Sequence, residues 1–240
     1  MVNFGIQLYS LRDIDKPLPE LLEDVADVGF EGVEFAYRVY DEDHEAIRET
    51  LERTGLTAAG SHVPVDRLEE DREATVELFD SFNCRTLTIP GFSEDYFETK
   101  EGIAEATERL RSIASNVAED GVELLYHNHA EEFAVHDDEY GFELLFDALE
   151  GAVGPQVDIG SAAAGGANPA ALIRRLGTVP QTHLTQVDLD GPEPTGDGYD
   201  LQEVTEAMIE ADTEWIFWEY EAEDPLSTLP GAVELLEDMT

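Results

Sequence analysis

The sequence has almost no cysteine and no long apolar run. Cys84 is the one cysteine among 240 residues, so an intrachain disulfide is excluded, which fits a reducing cytoplasm. No stretch stays apolar and uncharged over the length that a transmembrane helix needs. The first residues, 1–6, lack the basic and then apolar order of a signal peptide. We therefore expect a cytoplasmic protein without a membrane partner.

Basic residues are also scarce. The chain has 13 lysines and arginines against 56 aspartates and glutamates, and its formal net charge is −43. Such a charge destabilises a compact chain by self-repulsion, which molar salt removes by shortening the screening length to about 3 Å. We interpret it as adaptation to a salt-rich cytoplasm, as in a halophile; the alternative is a protein that binds cations or a basic partner. Nucleic acid is not an expected partner, because its phosphates need lysine and arginine.

No linker, low-complexity segment or Gly-x-Gly-x-x-Gly motif interrupts the chain. Instead, apolar strand-like runs and helical patterns alternate eight times. Regular alternation of this kind predicts a parallel sheet with right-handed crossovers. Eight units in a chain of this length predict an α/β fold, a single (β/α)8 TIM barrel domain over residues 1–240. A doubly wound open sheet is the alternative, but the glycines of its dinucleotide site are missing.

The element limits follow from apolar spacing and from glycines that close the helical patterns. The predicted strands are 4–9, 32–36, 56–63, 86–90, 122–126, 156–159, 182–187 and 215–220. The predicted helices are 18–28, 44–53, 69–82, 100–119, 139–150, 201–211 and 225–239, together with one that Asn168 caps and Pro169 begins.

Polar residues stand where the predicted strands end, and active sites of TIM barrels lie at those ends. The fifth run is followed by two histidines one residue apart, and alternation along a strand would point both to the same side. Imidazole binds Zn, Mn, Fe or Co, and carboxylates suit Mn or Mg. A solvated polar turn is the alternative. The strand-end residues are Glu34, His62, His127, His129, Asp158, His183 and Glu219.

Each of these residues also has a structural interpretation: a carboxylate at the rim, a core histidine, a turn residue or a helix cap. Glu219 is the hardest to explain in that way. It lies between Trp218 and Tyr220 at the end of a very apolar strand, where a carboxylate is costly unless it is paired or binds a metal. Two histidines and two carboxylates on adjacent strands predict a mixed nitrogen and oxygen metal site with open positions.

Over nearly its whole length the chain resembles the sugar phosphate isomerase/epimerase superfamily, the xylose isomerase-like TIM barrels. The matching segments are Gly5-Ile6-Gln7-Leu8-Tyr9-Ser10-Leu11-Arg12, Gly32-Val33-Glu34, Tyr126-His127-Asn128-His129-x-x-Glu132-Phe133, Asp158-Ile159-Gly160, His183-Leu184 and Trp218-Glu219. The Tyr-His-Asn-His-x-x-Glu-Phe run indicates one branch of that superfamily. The resemblance implies one divalent metal ion (Mn, Zn, Co, Fe or Mg), with His62 facing the substrate. The implied ligands are His127, Asp158, His183 and Glu219.

Two departures from the family pattern affect the expected reaction. Many relatives have a glutamate where His127 stands, and there the two metal-bound glutamates act as paired bases. A symmetric two-base epimerisation is therefore disfavoured, whereas one-base enolisation, dehydration or elimination stays open. Relatives often have His-x-Lys-Asp on the seventh strand, but this chain has no such lysine after His183. Glu132 and His129 compete with His127 as metal ligands.

We expect a metal-dependent isomerase or epimerase, or a related lyase or dehydratase, that acts on a sugar or polyol through a metal-stabilised enediolate. Glu219 is the candidate base, and His129 or His62 the proton shuttle. The expected substrate contacts are Glu34, Asn128 and Arg12, although plain solvation is the alternative for Arg12. The competing hypotheses are a non-catalytic sugar-binding barrel and an apurinic-endonuclease-type phosphodiesterase, which would need a basic groove. The expected partner is a small molecule, and the sequence is compatible with a homodimer.

Overall fold

A closed barrel of eight parallel strands forms the centre of this computed structural model, which describes residues 2–189, 195–220 and 224–239. Each barrel strand pairs with the next along the chain, and the last pairs with the first. The barrel strands, named in chain order, are β1 (Asn3–Gln7), β2 (Gly32–Phe35), β3 (Thr57–His62), β4 (Thr86–Ile89), β5 (Glu123–His127), β6 (Gly154–Asp158), β7 (Gln181–Leu184) and β8 (Trp215–Trp218). The prediction of a (β/α)8 barrel is confirmed, and the alternative prediction of an open doubly wound sheet is wrong.

Helices connect the strands. In the part of the chain that the structure describes they are α1 (Leu18–Val28), α2 (His44–Thr54), α3 (Val65–Glu70), α4 (Arg72–Asp80), α5 (Lys100–Ala118), α6 (Gly141–Leu149), α7 (Ile159–Ala164), α8 (Pro169–Leu176), α9 (Leu201–Glu210) and α10 (Pro225–Met239). None of these helices combines the length and the apolar composition needed to cross a bilayer. The single helix predicted over 69–82 is wrong, because Asp71, with a φ of −127°, separates α3 from α4.

Local sequence explains where several helices begin and end. The side chains of Asp43 and Asn168 accept hydrogen bonds from backbone N–H groups in the first turns of α2 and α8, so the predicted Asn168 cap is confirmed. Gly29 and Gly55 end α1 and α2 with φ of 118° and 80°. A side chain would be strained in that left-handed conformation.

Strand limits differ from the predicted ones where the chain turns. β1 stops at Gln7 because Leu8–Leu11 forms a 3₁₀ turn, and the Gln7 side chain accepts a hydrogen bond from the N–H of Tyr9. β5 extends to His127 and ends there. His129 therefore lies outside the strand, and the argument that alternation along a strand aligns it with His127 is wrong.

Aromatic rings fill the N-terminal part of the barrel interior. Trp215 and Phe217 stack with ring centroids 5.8 Å apart. Gly5 and Gly32 make room for them, since a Cβ atom would lie 2.5 Å from the Phe217 ring at Gly5 and 2.6 Å from the Trp215 ring at Gly32. The opposite, C-terminal part of the interior contains buried polar side chains.

Candidate metal centre

Four consecutive strands bring two histidines and two carboxylates together at their C-terminal ends. His127 and Asp158 end β5 and β6, His183 lies within β7, and Glu219 directly follows β8. Each offers one ligand atom, and these atoms all lie within 4.8 Å of one another. We call these four residues the quartet. They are the set that the family resemblance implies as metal ligands.

His183 lies between two carboxylates. Its Nδ1 is 2.8 Å from Oε2 of Glu219, and its Nε2 is 2.7 Å from Oε2 of Glu34. Burial alone would lower the pKa of His183, but the two carboxylates outweigh burial and raise the pKa to about 10. Since carboxylates only accept hydrogen bonds, both ring nitrogens carry protons in this arrangement. A ligand nitrogen must be deprotonated, so metal binding would release a proton from His183.

His127 is held as a neutral ring. It is buried, and burial together with the neighbouring His183 and His62 places its pKa well below the ordinary value. Its Nε2 lies 3.8 Å from Oδ2 of Asp158. Two atoms that each lie about 2.0–2.2 Å from a shared ion are separated by up to about 4 Å, so this spacing suits two ligands of one metal.

The two carboxylates of the quartet differ in their partners. Asp158 Oδ1 accepts hydrogen bonds from the N–H of Ser161 at 2.7 Å and from the hydroxyl of Thr185 at 2.6 Å. Asp158 thus also caps α7, the structural role considered for it above. Burial, and then Glu219, raise the pKa of Asp158. Burial would also raise the pKa of Glu219, but the hydrogen bond from His183 outweighs it and the pKa is lowered.

The chemistry of this cluster fits a divalent metal ion. Two imidazoles and two carboxylates are a donor set that Mn, Zn, Fe or Co accepts. In addition, Glu34, Asp158 and Glu219 surround the single His183 imidazolium. When all three carboxylates are ionised, two buried negative charges are uncompensated, which is costly. A divalent cation held by the quartet would compensate them.

A second group of candidate ligands overlaps the quartet. His62, His127 and His183 also offer nitrogens within 4.8 Å of one another. The rings of His62 and His183 are stacked, with centroids 5.2 Å apart. His62 Nε2 lies 2.8 Å from Oε1 of Gln156. The ring lines the cleft described below, which is where a histidine that faces the substrate is expected.

A layer of buried polar side chains lies beneath the quartet, and we call Gln7, Glu34, Gln156 and Gln181 the amide layer. The amide nitrogens of Gln7 and Gln156 donate to Glu34 at 2.6 and 2.7 Å. The Gln156 nitrogen also donates to Oε1 of Gln181 at 2.8 Å. The three glutamines were not predicted as site residues. The sequence feature that could have identified them is an amide side chain inside a strand-like run. Gln156, for example, lies two residues before Asp158 and therefore on the same side of its strand.

The structure does not place the three expected substrate contacts among the described residues that line the cleft. Glu34 belongs to the buried amide layer. Asn128 exchanges two hydrogen bonds with the backbone of Asp158, at 3.2 and 3.0 Å, and so joins the ends of β5 and β6. Arg12 stacks 4.1 Å above the ring of Tyr9.

His129 lies just beyond β5 and lines the cleft. Its ring is packed edge-on against His127, with centroids 5.2 Å apart. Its backbone N–H donates to Oε2 of Glu132 at 2.9 Å, and the hydroxyl of Tyr126 donates to Oε1 of Glu132 at 2.9 Å. Glu132, a competitor for the metal in the sequence analysis, thus holds this turn and is outside the quartet.

The quartet opens into a cleft of about 640 Å³. Its walls are aromatic and apolar near the rim and polar near the quartet. Besides the quartet residues His127, Asp158 and Glu219, its lining comprises Tyr9, Ala36, Tyr37, His62, Pro64, Pro90, His129, Ser161, Thr185, Gln186 and Tyr220. No lysine or arginine lines it among the residues that the structure describes. Residues 190–194 and 221–223, which lie outside the described residues, include no lysine or arginine in the sequence.

Comparison with known proteins supports the fold. A solved sugar phosphate isomerase/epimerase from Parabacteroides distasonis is 15% identical over 99% of this chain and 94% of its own, with a TM-score of 0.80. The probable 3-DHS dehydratase AsbF, involved in petrobactin synthesis, from Bacillus anthracis is 13% identical (98% and 99% covered, TM-score 0.80). An AP endonuclease, family 2, from Brucella melitensis is 18% identical (98% and 99% covered, TM-score 0.75). Among curated protein sequences, none matches this chain significantly.

At these identities the solved structures establish a shared fold, and their activities differ. The family assignment rests instead on a sequence model described as "Xylose isomerase-like TIM barrel", which matches residues 22–239. The matched range contains the motifs on β2 and on β5 to β8 that carry the resemblance. This chain therefore belongs to the xylose isomerase-like TIM barrel family.

Proposed function

We propose that this protein is a metal-dependent isomerase or epimerase, or a related lyase or dehydratase, that acts on an uncharged sugar or polyol. The observation that carries the proposal is the quartet, whose two imidazoles and two carboxylates offer ligand atoms within 4.8 Å of one another at the floor of a sugar-sized cleft. The solved isomerase/epimerase and dehydratase with this fold support the proposal.

The residues of the cleft have distinct roles in the proposed reaction. A divalent ion bound by the quartet would polarise neighbouring hydroxyl and carbonyl groups of the substrate. The C–H of the carbon that bears the hydroxyl would thereby become more acidic. Glu219 is the base: it directly follows β8 and lines the cleft beside His127 and Asp158. His62 and His129 line the same cleft and move the proton between substrate oxygens.

The site offers one carboxylate as a base, which favours reactions that need only one base. A two-base epimerase requires proton acceptors on both faces of the sugar. Here the position on β5 is His127, Asp158 accepts two hydrogen bonds through Oδ1, and Glu132 is buried. Glu219 is therefore the carboxylate left to act as base, which favours aldose–ketose isomerisation or dehydration.

The charge around the cleft favours a substrate without a phosphate group. Basic residues in the loops that follow the strands are engaged elsewhere. Arg38 donates to the carbonyl oxygens of Ile14 and Lys16, and the guanidinium of Arg67 lies 3.7 Å above the ring of Tyr40. Arg12 stacks on the cleft residue Tyr9 but does not itself line the described cleft, so a phosphorylated sugar would meet carboxylates and aromatic rings there without a charged partner.

The first test is metal content, measured by elemental analysis in molar KCl after loading with Mn²⁺. We expect about one equivalent in the wild type and loss of it in the double variant Glu219→Gln, His183→Ala. The matched control is His136→Ala, since His136 bonds to the Phe97 carbonyl oxygen away from the quartet. That control should keep its metal.

The second test follows proton exchange of sugars in deuterium oxide by NMR. Matched pairs such as fructose and fructose 6-phosphate separate free sugars from phosphate esters. We expect exchange with a free sugar, a loss of about 10²–10⁴-fold in Glu219→Gln at saturating Mn²⁺, and weaker exchange with the ester. No metal in the wild type would contradict the proposal and favour the sugar-binding barrel. Nicking of abasic DNA would favour the endonuclease.

A further inference from the structure

Gln156 contacts several residues of the candidate site, although no sequence motif indicated a role for it. It lies on β6, two residues before Asp158, so its side chain points to the same interior side of the strand, and it is fully buried. Its Oε1 lies 2.8 Å from Nε2 of His62 and 3.0 Å from Nδ1 of His127. One amide oxygen thus joins a cleft histidine and a quartet histidine.

The orientation of the Gln156 amide is determined by its other neighbours. Gln181 donates from Nε2 to the carbonyl oxygen of Ala59 at 3.0 Å, and a carbonyl only accepts. The oxygen of Gln181 must therefore face Gln156. The group of Gln156 that lies 2.8 Å from that oxygen and 2.7 Å from a carboxylate oxygen of Glu34 is its NH₂. A flipped amide would place oxygen against oxygen at both contacts.

The positions of two histidine protons follow from this orientation. The Gln156 oxygen has two lone pairs and no hydrogen, so both histidine nitrogens that face it must donate. In its neutral form His127 then carries its proton on Nδ1, and the lone pair of Nε2 faces Asp158 across 3.8 Å. Neutral His62 carries its proton on Nε2, and its Nδ1 is the acceptor.

We infer that Gln156 is a positioning residue that fixes the tautomer of His127 and, together with the Glu34 carboxylate 3.4 Å from His62 Nε2, that of His62. Its oxygen makes His127 Nε2 available to a metal ion and His62 Nδ1 available as a proton acceptor. A hydrogen bond to the other ring nitrogen of a metal-binding histidine fixes the ring orientation and raises its basicity as a ligand. The inference rests on the proposed metal centre for its consequence, but the tautomers themselves are measurable without metal.

The test is a long-range ¹H–¹⁵N NMR correlation on ¹⁵N-labelled, chelator-treated protein in molar KCl, which distinguishes protonated from bare ring nitrogens. We expect Nδ1–H for His127 and Nε2–H for His62 in the wild type. Gln156→Met removes the acceptor at similar length. His62 Nε2 then still faces Oε2 of Glu34 at 3.4 Å, so His127 is the ring whose tautomer should change or mix. Gln181→Met is the matched control: it removes a buried glutamine of the same amide layer that contacts neither histidine, and Glu34 still holds the Gln156 NH₂ at 2.7 Å.

Mn²⁺ binding then tests the consequence of the tautomers. We expect Gln156→Met to weaken Mn²⁺ affinity by about 10–100-fold and Gln181→Met to weaken it much less. If Gln156→Met does not fold, the wild-type spectrum still tests the inference, because His127 protonated on Nε2 overturns it. A folded Gln156→Met with an unchanged His127 tautomer or unchanged Mn²⁺ affinity overturns it as well. If the wild type binds no Mn²⁺, the proposed function fails while the spectra still judge the tautomers.

Discussion

At the residue scale, His183 is the member of the quartet that lies between two carboxylates. Both ring nitrogens contact carboxylates within 2.8 Å, in a fully buried position. Removing one partner from a buried ion pair leaves an uncompensated charge and is strongly destabilising. His183 therefore has two roles that can be separated by experiment: as a cation it stabilises the barrel, and in the proposed metal centre it would lose a proton and act as a neutral ligand.

The first role predicts a pH dependence of stability. The pKa of His183 is about 10 in the folded chain against an ordinary value of 6.5. A histidine whose pKa is higher in the folded chain than in the unfolded chain stabilises the folded state fully at pH values below its unfolded pKa. That stabilisation is lost as the pH rises through the folded pKa. In chelator-treated protein, we expect the free energy of unfolding to fall between about pH 7 and 10, by up to about 1.4 kcal/mol per pH unit.

Urea unfolding in molar KCl measures this slope, and His183→Gln is the comparison. The glutamine variant has no imidazole to titrate, so its stability should change less over the same pH interval. Equal slopes in the wild type and the variant would show that His183 is not held as a cation.

At the scale of elements, the two ends of the barrel strands have different tasks. The C-terminal ends carry the quartet, whereas the N-terminal part is filled by Trp215 and Phe217. Those rings fit only because β1 and β2 carry glycines opposite them. Conversely, Phe217 reaches the polar region, since its ring lies 5.7 Å from that of His183. The aromatic packing in the N-terminal part of the barrel interior therefore supports the buried side of the quartet.

Gly5→Ala tests this packing. The added Cβ would lie 2.5 Å from two atoms of the buried Phe217 ring, which is confined by its stacking on Trp215. Forcing a methyl group into a packed interior costs about 1–3 kcal/mol, and we expect that loss in the free energy of unfolding measured with urea.

Gly231→Ala is the matched control for this substitution. Gly231 lies within α10, and among the residues that the structure describes a Cβ there would meet Leu189 at 3.5 Å, an ordinary contact. Alanine in a helix interior is favoured over glycine by up to about 1 kcal/mol. Gly231→Ala should therefore raise the free energy of unfolding, whereas Gly5→Ala should lower it. A neutral or stabilising effect at Gly5 would contradict the packing described here.

At the scale of the whole molecule, negative charge dominates. Nearly every basic side chain pairs with a carboxylate, for example Arg48 with both Glu45 and Glu52 and Arg109 with Glu69. Exposed pairs of this kind each contribute little. With 56 acidic residues against 13 basic ones, most carboxylates have no cation nearby, and repulsion among them opposes folding.

Salt should therefore stabilise the protein by screening. Raising KCl from about 0.1 M to about 1 M shortens the screening length from about 10 Å to about 3 Å, and we expect Tm and the free energy of unfolding to rise over this interval. A zwitterionic solute such as glycine betaine at the same concentration screens no charge and is the control. Equal stabilisation by both solutes would argue against the salt-rich cytoplasm proposed from composition.

Local patterns in the sequence were enough to predict the barrel and the strand-end residues, from which the family resemblance selects the quartet. The limits of α1 and α10 follow from helical spacing, and alternation of strands and helices allows few topologies. Since parallel strands of a barrel all end at one mouth, polar residues at strand ends converge there whatever their separation along the chain. The convergence of His127, Asp158 and His183 could be predicted for that reason.

The amide layer and the hydrogen bonds of each ring nitrogen were decided by tertiary structure alone. Glu34 and His183 are 149 positions apart, and Glu34 and Gln156 are 122 apart, so no local pattern links them. Their contact depends on strand register, including a shift between Val33 and Glu34 where β2 meets β3. Sequence by itself determined which residues reach the mouth of the barrel. Register and burial decided which of them face the cleft, because a shift of one residue reverses the side of a strand on which a side chain lies.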